Sequence, residues 1–141
     1  MIKKGLWAAL PLLIIGLAAV VLWHGSDDTP AAAVTLPCAD LVKGCGTRLQ
    51  GRMVSLGLSG PVQPLKPFQV WVKAPGARTV QASFTMQGMD MGFNLYTLRA
   101  DKDGVFRARV TLPVCVSGRR DWIMAVQIEG GVIQVLFRTG E

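Results

Sequence analysis

The stretch Met86-Gln87-Gly88-Met89-Asp90-Met91-Gly92 sets three of the chain's six methionines within six positions, beside one carboxylate and two glycines. Thioethers are soft, neutral donors that suit Cu(I), whereas zinc and calcium sites want imidazole, thiolate or oxygen. They need no deprotonation, so such a site holds Cu(I) over a wide pH range. Met89 and Met91 point the same way along an extended backbone, and a bulge at Gly88 is expected to bring Met86 to that side. Met86, Met89 and Met91 are therefore the candidate ligands, with Cys115 or Asp90 as a further donor. Methionine is also a flexible apolar filler. That role fits Met86, in phase with Val80, Ala82 and Phe84, better than it fits Met89 and Met91, which follow a glycine and flank Asp90. The single histidine, His24, adjoins a long apolar run and reads as an interfacial residue rather than a ligand.

Other chemistry has little to stand on. No serine or cysteine has a histidine available to activate it, no phosphate-binding loop occurs, and Arg119-Arg120-Asp121 reads as a turn with a local ion pair. The chain is read as a binding protein, not an enzyme. Its three cysteines are an odd number. Cys38 and Cys45 can close a small loop, or one of them can reach Cys115; either way one thiol is left over. No CxxC motif is present. The net charge of +6 falls to +4 when Lys3 and Lys4 are set aside. Apart from Arg119-Arg120 the remaining basic residues are scattered along the chain with no aromatic-basic platform in view, so nucleic acid is not an expected partner, and a mildly basic surface near anionic lipid is the plainer reading.

The elements that must position these residues follow from hydropathy. Leu6–Trp23 carries no charged or polar residue and as a helix spans roughly 27 Å, close to the hydrocarbon thickness of a bilayer. Trp7 and Trp23 mark its ends, and Lys3 and Lys4 precede it. The positive-inside bias predicts residues 1–5 in the cytoplasm, 6–23 across the membrane and everything later exported. Residues 24–36 read as a tether, and 37–141 as the exported domain. A cleaved signal peptide is the competing reading of the apolar run.

Past Cys45 short alternating runs are bounded by Gly, Pro and Asp: Leu49 to Leu58, Pro67 to Ala74, Arg78 to Met86, Phe93 to Arg99, Val105 to Leu112, Asp121 to Ile128 and Val132 to Phe137. About seven strands at this spacing predict an all-β, immunoglobulin-like antiparallel sandwich. Either Trp71 or Trp122 belongs in its core.

An N-terminal membrane helix, a small exported sandwich and the segment "FTMQGMDMGFNLY" together resemble the FixH/YtkA-like group of copper-associated periplasmic domains. With "LPVCVSGRRDW" they are also similar to short uncharacterised bacterial membrane-anchored proteins. The resemblance implies a single-pass protein of the bacterial inner membrane whose periplasmic domain serves as a copper metallochaperone in cytochrome oxidase assembly. An oxidase subunit or a copper-transport protein is then its partner. Met86, Met89 and Met91 are the positions that carry over as ligands. No histidine follows His24, a departure from histidine-assisted copper sites that leaves Cu(I) as the expected form. The alternative from a different class is a metal-free module that grips a membrane protein partner through its methionine-rich loop.

Overall fold

The computed structural model describes residues 33–89, 94–114 and 116–140. The apolar run 6–23, the charges before it and most of the tether lie outside those residues. Among the described residues no helix is long and apolar enough to cross a membrane.

The described chain is all-β, with nine strands: β1 (Ala33–Thr35), β2 (Cys45–Leu49), β3 (Arg52–Ser59), β4 (Phe68–Lys73), β5 (Val80–Met86), β6 (Leu95–Ala100), β7 (Val105–Val110), β8 (Asp121–Ile128) and β9 (Gly131–Arg138). The seven expected strands are all present in some form, and two were missed. The run Leu49 to Leu58 is not one strand but the hinge of a hairpin. Gln50 and Gly51 both take positive φ, 49° and 79°, as a two-residue turn of the I′ kind requires. That turn adds β2 ahead of β3. β1 takes three residues from the segment read as a tether and pairs parallel with β9, Val34 opposite Ile133. The sheet is therefore mixed rather than purely antiparallel. Three residues without a periodic pattern gave no sign of this; their partner strand supplies the order.

The strands run β1-β9-β8-β5-β6-β7-β4-β3-β2. β6 holds the two halves together: its first residues pair with β5 and its last two with β7. The sheet folds over at that strand, and its far ends approach where the Leu49 side chain lies against Gly131. The result is nearly a barrel. Alternate residues face inward, as the period of two demands. Leu56, Val70 and Val72 on one half and Val80, Val126 and Ile133 on the other are essentially without solvent contact. Phe84 sits at the centre, fully buried, with Phe68, Tyr96 and Phe137 edge-on at 6.0, 6.0 and 6.2 Å. Such pairings of ring edge and face add to the area each ring buries. Trp122 is the core tryptophan, at 2% exposure; Trp71 faces outward.

The registers sort the loops between two ends. Ala33 enters beside Val132, at the end holding turns 50–51 and 129–130. Glu129 ties that end together by accepting hydrogen bonds from the Arg78 N–H at 2.7 Å and from Arg52 at 3.0 Å. These donors hold its carboxyl below its ordinary range, the Arg78 N–H first. β5 finishes at the opposite end, which gathers the methionine turn and the segments 60–67, 111–120 and 139–140.

Candidate metal site

β5 delivers Met86 to this distal end with its side chain facing inward, in phase with Phe84, and only 2% exposed. Its cross-strand partner on β8 is Trp122. The chain then reverses within two residues. The Met89 N–H donates to the Met86 carbonyl at 3.2 Å, and Gly88 takes φ +76°. A negative φ followed by a positive one is the form of a type II turn, which places glycine third. The expected bulge is thus a turn, and the difference matters for the sulfurs. In a bulge Met86 and Met89 would share a strand; here they are opposed across a tight hairpin. Directly opposed residues project to the same face with their Cβ atoms about 5 Å apart. Met86 is buried and Met89 is 39% exposed, so the pair runs from the core to the surface. Asp90 and Met91 lie outside the described residues, and so does Cys115.

Met86 and Trp122 also line a cleft of about 250 Å³ with Pro64, Pro113, Val114 and Arg119 among its other walls. Its loops are tied by backbone hydrogen bonds: Leu65 N–H to Leu112 C=O at 2.9 Å, Thr139 N–H to Arg120 C=O at 3.0 Å and Gly140 N–H to Val62 C=O at 2.9 Å. The residues flanking position 115 are apolar and outward, Val114 at 56% and Val116 at 105% exposure. Arg119 donates through Nε and Nη2 to the two carboxylate oxygens of Asp121, the local ion pair expected from the sequence. That fork holds the Asp121 carboxyl below its ordinary range and engages it as an acceptor.

Among the described residues no three of His, Cys, Asp and Glu come together; the thioethers described at this end are those of Met86 and Met89. Cys38 and Cys45 are joined in a disulfide, with Cα atoms 5.8 Å apart. Of the pairings left open by the sequence, this is the local one. Asp40 closes the same loop, its carboxylate accepting from the Lys43 and Val42 N–H groups; these bonds, that from Lys43 foremost, keep its pKa low. Tyr96 is a residue of β6 and Asn94 immediately precedes that strand: the Asn94 carbonyl accepts from the Phe84 N–H, and the Tyr96 hydroxyl donates to the Thr111 carbonyl at 3.3 Å.

Sequence reasoning named Trp71 only as a candidate for the core and missed its outward place. Its indole lies across Gly57 and Gly44 on the outer face of β3 and β4. A Cβ built at Gly57 would fall 2.5 Å from the ring, and one at Gly44 2.6 Å. Gly57 stands opposite Trp71 within the sheet, a glycine inside a strand pattern that marks a close approach, and Gly44 lies just before β2. No protein-family model matches the chain, and no curated protein or solved structure was found to be similar to it.

Proposed function

We propose that this protein is a membrane-tethered Cu(I) carrier. It binds the ion at the distal turn through Met86, Met89 and Met91, with Cys115 as a further sulfur donor. In this reading residues 6–23 anchor it in the bacterial inner membrane and its immunoglobulin-like sandwich works in the periplasm. The acceptor is an oxidase subunit or a copper-transport protein. The observation that carries the proposal is the opposition of Met86 and Met89 across a two-residue turn. It sets two soft donors on one face, one anchored in the core and one open to an incoming ion. Trp122 beside Met86 gives the inner donor an apolar wall, which disfavours hydrated, harder cations. Tethering raises the effective concentration near a membrane acceptor, so transfer does not demand tight binding. The Cys38–Cys45 disulfide fits an oxidising compartment.

A second reading rests on Val114 and Val116, which with Met89 make this end apolar and exposed. It is a metal-free contact surface for a membrane protein.

The two readings part under an anaerobic Cu(I) titration of the full chain in detergent against a chromophoric competitor. A Met89→Leu/Met91→Leu variant is run alongside. Met89 is exposed, so its substitution leaves the buried Met86 in place, and leucine preserves apolar bulk. A one-to-one complex in the parent that weakens at least about tenfold in the variant supports the carrier. Equal and negligible binding by both would favour the contact surface.

A further inference from the structure

The outer faces of the two halves of the sheet differ sharply in charge. On β5, β8 and β9 the outward positions are Gln81, Ser83, Thr85, Ile123, Ala125 and Gln134, uncharged until the Asp121–Arg138 pair at the distal end. The other half brings basic residues together that are far apart in the sequence. Arg99, Arg107 and Trp71 stand in one row across β6, β7 and β4. Arg109 lies one outward position along from Arg107, Lys73 one along from Trp71, and Arg48 projects from β2. At strand spacings of about 4.8 Å and alternate-residue spacings of about 6.6 Å, this is one continuous basic field around an indole. Arg107 is held by Asp101 at 2.8 Å, whereas Arg48, Lys73, Arg99 and Arg109 enter no ion pair among the described residues. Beside Trp71 the face opens into a hollow of about 440 Å³ lined by Ser59, Pro67, Phe68, Gln69 and Arg109.

We infer that this face binds an acidic polysaccharide, a site separate from the methionine turn and independent of whether that turn holds copper. The indole packs over its two glycines and stays partly exposed. Its open part offers aromatic surface for stacking a sugar. Its charged neighbours are mostly arginine, whose planar forks match carboxylate, phosphate or sulfate groups in pairs. A flat strand surface with a shallow hollow suits an extended chain that lies along it. The Cys38–Cys45 disulfide fits an oxidising compartment, where acidic glycans rather than nucleic acids are the anionic polymers on offer.

The test is calorimetric titration of the full chain in detergent with four probes at low salt: alginate oligosaccharide, dextran, polyphosphate and poly-glutamate. Alginate is expected to bind, with dextran, polyphosphate and poly-glutamate each at least roughly tenfold weaker. Trp71→Leu should weaken alginate about tenfold, and Arg99→Ser/Arg109→Ser should weaken it by at least as much and flatten its salt dependence. The arginine positions are exposed and unpaired, so that double variant decides the matter even if Trp71→Leu fails to fold. The inference is overturned if alginate does not bind, or if Arg99→Ser/Arg109→Ser leaves its binding unchanged. It is equally overturned if polyphosphate or poly-glutamate binds as well as alginate, since charge alone would then be the determinant.

Discussion

Gly57→Ala isolates the packing that holds Trp71 in place. The added methyl would meet the indole at 2.5 and 2.7 Å and the Leu41 carbonyl oxygen at 2.8 Å. Real Cβ atoms do not approach that closely, so something must move. The indole can tilt by rotating its side chain. The Leu41 oxygen cannot follow cheaply, because it accepts the Leu58 N–H at 2.9 Å and lies in the loop fastened by the Cys38–Cys45 disulfide. Overpacking of this kind costs about 1–3 kcal/mol, and a backbone atom among the clashes puts the expectation at about 2–3. For a domain of this size that is a fall in Tm of roughly 8–12 °C. Gly46→Ala is the control. Its nearest neighbour is the Val54 oxygen at 3.5 Å and its φ is not positive, so alanine is expected to be neutral or to stabilise by up to about 1 kcal/mol through the unfolded chain. Adding Trp71→Ala to Gly57→Ala removes one clash and leaves the other. The glycine substitution should therefore cost about 1 kcal/mol less in that background, read as a coupling in urea denaturation of the four-member cycle. If Gly57→Ala proves as mild as Gly46→Ala, or if its cost is the same with and without the indole, the packing of Trp71 over Gly57 is wrong.

Two further outcomes follow from the fold. Reducing the Cys38–Cys45 bond, or replacing both cysteines by serine, should lower stability by about 2 kcal/mol on the chain-entropy model for a separation of 7 residues, measured by the shift in urea midpoint. An unchanged midpoint would mean that the loop is ordered equally well without the bond. Asp101, chiefly through the Arg107 side chain, and Asp121, through Arg119, are held below their ordinary value of 3.8; Glu129 lies below its ordinary 4.5. A carboxyl with a lowered folded pKa adds stability that is complete above its unfolded value and lost as pH falls through its folded one. Thermal stability should then be level from neutrality to about pH 5 and decline below about pH 4, with a shallower decline in Asp101→Asn. A decline beginning near pH 6 would point to some other group.

What could be read from the sequence was what period and turn chemistry encode locally. The alternation of Val80, Ala82, Phe84 and Met86 against Gln81, Ser83 and Thr85 defines β5 almost to the residue, and Glu129-Gly130 marks the last hairpin. The Gln50-Gly51 hairpin was lost because Leu49 and the run from Met53 to Leu58 look like one apolar stretch when the turn between them is not weighed. β1 was lost for another reason: Ala33-Val34-Thr35 has no face of its own to bury, with all three exposed, and becomes a strand only because the edge of β9 needs a partner. The basic field was invisible for a third reason. Arg48, Lys73, Arg99 and Arg109 are separated by tens of positions in the chain, and only strand order makes them neighbours.

Met86 and Met89 occupy two different environments in a single turn. Met86 satisfies every expectation of a core residue: it is in phase, buried and opposed to Trp122. That does not remove it from the candidate ligand set, because a hairpin carries it directly opposite Met89, a large apolar side chain left at 39% exposure. Core methionines are numerous in ordinary proteins; an exposed one stationed over a buried one by a two-residue turn is a more specific arrangement. The same geometry divides the costs of substitution. Truncating Met86 to alanine opens the core and belongs with losses of about 2–5 kcal/mol, whereas Met89→Leu should leave stability within about 0.5 kcal/mol. Any effect of Met89→Leu on copper retention is therefore chemical rather than structural, and the choice between a metal site and an adhesive surface turns on that residue more than on Met86.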